Sequence, residues 1–120
     1  MKDSVIREKS FTFAVRIVKL NQFMNETHKE FVLSKQILRS GTSIGANVRE
    51  AGHAQSKKDF LYRMQIALKE ASETEYWLDL LTETGYIDTN LATSLKNDCI
   101  ELLKLLTACV KSTRKNIEIT

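Results

Sequence analysis

The chain is expected to fold as an all-α, antiparallel, up-down-up-down four-helix bundle. Three features predict it. There is no proline in 120 residues, apolar residues recur at spacings of three and four, and the breaks between periodic segments are short enough to make successive helices neighbours. The first helix covers about residues 5–24 and sets Ile6, Phe13, Ile17, Leu20 and Met24 on one face. The second covers about 29–53. The third, about 57–84, opens on Ser56-Lys57-Lys58-Asp59, a capping box with Asp in place of Glu, and stops near Gly85. Its stripe is Phe60, Met64, Ala67, Ala71, Leu78 and Leu81. The fourth, about 89–112, has Asp88 or Thr89 as a competent N-cap and points Leu91, Leu95, Leu102, Leu105, Leu106 and Cys109 inward. Lys111 to Thr120 reads as a frayed tail. No segment alternates as a strand would, so residues 1–120 form a single helical domain with one core.

The stretch SGTSIGANVREAG, Ser40 to Gly52, holds three of the four glycines. A phosphate-cradling loop would follow its glycines with Lys and then Ser or Thr, and this stretch has no such Lys. Rotating the second helix by about 100° per residue places Gly45, Val48 and Gly52 close to Gly41, inside the apolar stripe. Glycine costs a helix about 1 kcal/mol relative to alanine. Close approach of a bulky residue from a neighbouring helix, such as Phe13 or Met64, is the compensation expected here; a break in the helix near Ser40 to Thr42 is the alternative. On the side away from the glycines, Gln36, Ser40, Ser43, Asn47 and Glu50 make a polar stripe that reads as a solvated face, or as a face for a protein partner.

The third helix is apolar on a second side as well, where Tyr62, Ile66, Trp77 and Leu80 gather around Glu70 and Glu73. The first helix repeats the pattern with Phe11, Val15 and Val18. A helix apolar on two sides has two neighbours, whereas the outside of a four-helix monomer meets only water. These seven residues therefore predict a homo-oligomer joined through the outer faces of the first and third helices; packing at helix flanks within one subunit is the alternative. Residues equally distant from the turn at Ala54 to Ser56 face each other, which sets Arg39 level with Glu70 and Glu73 and predicts an ion pair there, within or between subunits.

Composition narrows the function classes. The apolar runs are only a few residues long and the first twenty residues include Lys2, Asp3, Arg7, Glu8 and Lys9. Neither a membrane span nor a secretory signal is expected, and the cytoplasm is the expected location. Cys99 and Cys109 lie ten residues apart in a helical segment, roughly 15 Å along its axis, too far to bridge within one chain. His28 and His53 have no metal-ligand spacing, and no metal or cofactor is expected. Residues 1–60 carry eleven Lys/Arg against six Asp/Glu, and residues 61–120 seven against nine. The first half is thus the part suited to an anionic partner.

The runs SFTFAVRI (Ser10 to Ile17), QILRSGTSIGANVREA (Gln36 to Ala51), SKKDF (Ser56 to Phe60) and IALKEASETEYWLDLL (Ile66 to Leu81) closely resemble the four-helix bundle proteins of the 23S ribosomal RNA intervening-sequence family, over roughly residues 5–110. The resemblance implies a left-handed bundle and, as in related accessory proteins of diversity-generating retroelements, a homopentameric ring. Those relatives use a basic ring to hold a reverse transcriptase and its RNA template. The expected function is a non-enzymatic oligomeric scaffold binding RNA or a nucleoprotein, with Lys9, Arg16, Lys19, Arg39, Arg49, Lys57, Lys58 and Arg63 as candidate phosphate contacts. One alternative is a small ribonuclease or toxin-type enzyme using Arg49 and His53, whose three-residue gap is shorter than the four to six of helical HEPN nucleases. The other is a protein–protein adaptor using the Gln36 to Glu50 stripe.

Overall fold

The computed structural model describes residues 2–119, with side chains from Val5 to Glu118. Four helices follow one another, α1 (Lys2–His28), α2 (Leu33–Ala51), α3 (Lys57–Glu83) and α4 (Thr89–Ile119). Short connections reverse the chain each time, and the bundle measures 52 × 21 × 21 Å. Each helix packs on its neighbours in sequence, and α4 closes the bundle against α1 along the narrowest seam.

The first turn corrects two expected boundaries. Helix α1 continues past Met24 to His28 and ends because Lys29 takes the left-handed region at φ 54°. The Glu30 N–H then bonds back to the Met24 carbonyl at 3.1 Å, a Schellman-type closure made by a lysine where glycine is usual. Helix α2 starts at Leu33 rather than near residue 29, because Glu30 acts as its cap. The Glu30 carboxylate accepts from the N–H groups of Ser34 (2.8 Å), Leu33 (3.1 Å) and Val32 (3.2 Å). Burial pushes this carboxyl up, but the hydrogen bonds from Ser34, Leu33 and Val32 outweigh it and hold the pKa below its usual value.

Helix α2 stops at Ala51, two residues short of the expected end, and Gly52 and His53 belong to the turn. Helix α3 begins where its capping residues place it. The Ser56 hydroxyl accepts from Asp59 N–H at 3.1 Å, while the Asp59 carboxylate reaches one residue further back than in a standard box, to Gln55 N–H at 3.2 Å. Gly85, at φ 81°, turns the chain out of α3. Asp88 is the residue that caps α4, accepting from Leu91 N–H at 2.8 Å. The expected fraying from Lys111 does not occur. Helix α4 runs on to Ile119, with Val110 buried and Thr113 bonded back to the Cys109 carbonyl at 2.8 Å.

The core is built from the stripes derived above: Ile6, Phe13, Ile17, Leu20 and Met24 of α1 meet Ile37, Ile44 and Val48 of α2, then Met64, Leu78 and Leu81 of α3, then Leu95, Leu102 and Leu106 of α4. Cys99 is fully buried among them, whereas Leu91, Leu105 and Cys109 sit half-buried at the flank of α4. Helix α2 is continuous through Gly41 and Gly45, so the close-approach reading holds, but the partners are Ile17 and Ser10 of α1 rather than Phe13 or Met64. A Cβ at position 41 would fall 2.8 and 2.9 Å from the two γ carbons of Ile17, and one at position 45 would fall 3.3 Å from the Ser10 carbonyl oxygen. Gly52 has no such role; it is exposed beyond the helix end.

Candidate functional site

The polar stripe on α2 is solvated at its two ends, where Gln36 and Glu50 are exposed, but not at its middle. Ser40 is fully buried, and its hydroxyl lies 2.9 Å from that of Thr74, itself 2.8 Å from the Glu70 carbonyl oxygen. Thr74 sits among apolar residues in the α3 core stripe, which gave no warning that Ser40 had a polar partner there. Ser43 and Asn47 are half-buried beside the same seam and bond to carbonyls of their own helix. Just outside this seam Arg39 pairs with Glu73 at 2.6 Å and with Glu70 at 3.5 Å, within the subunit. Trp77 Nε1–H donates to the same Glu73 carboxylate at 3.1 Å. The Glu70 Oε2 atom is buried and accepts no hydrogen bond, so Arg39 supplies its compensating charge from outside.

The eight candidate phosphate contacts divide by what holds them. Lys9 pairs with Glu101 at 3.2 Å, and Arg16 with Asp98 at 2.6 Å and Ser94 at 2.9 Å, which stitches the narrow α1–α4 seam. With Arg39, three of the eight are neutralised inside the chain. Arg49 lies over the Phe11 ring, its guanidinium carbon 5.8 Å from the centroid, and Arg63 over Tyr62 at 5.7 Å. Lys19, Lys57 and Lys58 are exposed and form no ion pair with a described residue.

Of the seven interface candidates, Phe11 is 57% and Tyr62 58% exposed, with Val15 and Val18 exposed beside Phe11. Ile66 and Leu80 are half-buried. Trp77 packs against the core, so it is a flank residue of the subunit with one edge at the surface. The structure also brings the two candidate sets together: Arg49 and Phe11 line one cleft of about 360 Å³ between α1 and α2, floored by Ala14, Gly45 and Ala46. Three exposed cations, Lys111, Arg114 and Lys115, were missed because the segment read as frayed; their spacing of three and one places them on the outer side of a helix once α4 is extended.

The chemistry of the remaining groups is quiet. Burial, then the nearby carboxylates of Glu75, Asp79 and Asp98, push the Cys99 thiol up to about 12, and its Sγ lies 3.3 Å from the Ala71 carbonyl oxygen. It is a neutral, inaccessible thiol at physiological pH. Among the described residues there is no cluster of three His, Cys, Asp or Glu suited to a metal, and no helix long and apolar enough to cross a membrane.

No curated protein matches the chain. A crystal structure from Bacteroides thetaiotaomicron VPI-5482, described as a protein of unknown function from the S23 ribosomal protein family, is 58% identical. It superposes with a TM-score of 0.91 over 92% of this chain and 99% of that one. The description of the 23S rRNA-intervening sequence protein family fits residues 2–108, from the start of α1 to a point within α4 about three turns before its end. Together with the four-helix architecture, these matches establish that the chain belongs to the 23S rRNA-intervening sequence protein family.

Proposed function

We propose that the protein is a non-enzymatic, homo-oligomeric scaffold that holds RNA or a nucleoprotein. The observation that carries the reading is the apolar outer surface: Phe11 and Tyr62 are each more than half exposed, with Val15 and Val18 continuing the stripe on α1. Exposing large aromatic and branched side chains in one stripe is unfavourable in water unless another surface covers them. The stripes lie on different helices. Contact between α1 of one copy and α3 of the next is therefore heterologous and closes into a ring when the rotation permits. Five subunits is the number implied by the resemblance to retroelement accessory proteins. RNA is suggested by the family's name and by the basic residues that no described carboxylate neutralises.

The test is solution mass by light scattering coupled to chromatography, at low and high salt and with added structured RNA. The expected result is a discrete oligomer in both salts that gains mass with RNA at low salt only. Phe11→Glu is expected to yield a folded monomer by circular dichroism. A monomeric parent protein would overturn the scaffold.

A further inference from the structure

The fold sorts charge along the length of the bundle in a way that residue order conceals. The Cys99 Sγ to Ala71 carbonyl contact fixes the register of α4 against α3. Lys57 lies fourteen residues before Ala71 in α3, about 21 Å along the axis, and the antiparallel position on α4 is residue 113. Lys57 and Lys58 therefore stand level with Lys111, Arg114 and Lys115. The Arg39 pairs with Glu70 and Glu73 register α2 in the same way, and ten residues on, Arg49 reaches the height of Phe60 to Arg63.

All six cations are exposed, and none forms an ion pair with a described residue. Among the residues whose side chains are described, the acids at this end are Glu8, Glu50, Asp59 and Glu118, of which Asp59 is engaged by the Gln55 N–H. At the other end Glu26, Glu30, Glu83 and Asp88 outnumber Lys29 and Lys35, while Lys96 is neutralised by Asp79 at 2.7 Å. The large hydrophobics exposed toward this end, Val5, Phe11 and Tyr62, belong to α1 and to α3 beyond Leu61, with Phe11 under the Arg49 guanidinium. No large hydrophobic side chain is exposed between Arg49 and Leu61 or from Val110 to Glu118.

We propose that this end of the bundle is a docking surface for the phosphate backbone of RNA, with Lys57 and Lys58 of α3 and Lys111, Arg114 and Lys115 of α4 making the contacts and Arg49 at the margin. The proposal rests on the RNA-scaffold reading and relocates its contacts away from Lys9, Arg16 and Arg39. Each phosphate contact releases counterions, so it contributes roughly 0.7 to 0.9 to the slope of log affinity against log salt.

The test measures anisotropy of a fluorescein-labelled RNA hairpin, and of a DNA hairpin of the same sequence, titrated with the full chain across a salt series. Neutralising Lys111, Arg114 and Lys115 together to Gln is expected to flatten the slope by about two to three and weaken RNA binding on the order of a hundredfold near 0.1 M salt. Lys57→Gln with Lys58→Gln is expected to flatten it by about one to two. Lys29→Gln with Lys35→Gln, at the opposite end, should leave the curve within about twofold of the parent, the small change expected of lone exposed charges. A parent that binds no RNA at low salt overturns this proposal and the RNA part of the scaffold reading together. A parent that binds, with both basic-end variants matching it, overturns this proposal alone. DNA binding as tight as RNA, or polyglutamate competing as well as unlabelled RNA, overturns the assignment to RNA. A particle mass that grows at low salt without RNA, and ceases to grow in the variants, overturns it in favour of end-to-end stacking of copies.

Discussion

Gly41 offers the sharpest test of the packing argument, because the sign of its effect should depend on one neighbour. Alanine there gains about 1 kcal/mol of helix propensity. Its Cβ would also lie 2.8 and 2.9 Å from Ile17 Cγ1 and Cγ2, well inside the 3.5 to 4.0 Å at which carbon atoms rest. Ile17 is fully buried and branched at Cβ, so it cannot rotate one γ carbon away without driving another substituent into the core. Overpacking of this kind costs about 1 to 3 kcal/mol, which leaves Gly41→Ala destabilising by up to about 2 kcal/mol. Ile17→Ala removes both offending atoms, at its own cost of about 2 to 5 kcal/mol. In that background Gly41→Ala should stabilise the protein by up to about 1 kcal/mol, since the propensity gain is then opposed only by the Cβ of residue 17, 3.2 Å away. Urea unfolding of the four proteins at one fixed subunit concentration, followed by far-ultraviolet circular dichroism, closes the cycle. Equal destabilisation by Gly41→Ala in both backgrounds would refute close approach as the reason for glycine.

Arg39→Ala should cost more than Lys9→Ala in the same urea assay. The first strands the buried Glu70 carboxylate, at about 1 to 3 kcal/mol, while the second breaks an exposed pair worth under about 1 kcal/mol. Glu30→Gln should destabilise near neutral pH by about 1 kcal/mol, the usual cost of a weakened helix cap. Because the Glu30 pKa is depressed in the folded protein, its contribution is present above the unfolded value of 4.5 and is lost as pH falls through the folded value; parent and variant should converge in acid.

Much of the helical order was legible because apolar spacing and capping chemistry agreed with each other. Helix α3 is the clearest instance, with Ser56 and Asp59 at its start, Gly85 beyond its end and a core stripe between that is broken only by Thr74. The first turn was not legible, since Lys29 occupies a position where glycine is the usual signal and Glu30 caps through a side chain outside the usual Ser, Thr, Asp and Asn set. The glycines of α2 announced a close approach, but spacing alone could not name Ile17 and Ser10 as the partners. That choice depends on the rotation and register of α1, which are set by packing across the whole seam.

Charge was the least legible property, for a topological reason. Dividing the chain at its midpoint makes the first half basic and the second acidic, yet an up-and-down bundle brings both halves to each end. Lys111, Arg114 and Lys115 belong to the acidic half and stand level with Lys57 and Lys58 of the basic one. Lys9 and Arg16 belong to the basic half and are neutralised by Glu101 and Asp98 across the α1–α4 seam. A charge contributes to the field outside the protein only to the extent that no neighbour cancels it. The pairing pattern of an antiparallel bundle, rather than the count along the chain, therefore decides which lysines and arginines an anionic partner can meet.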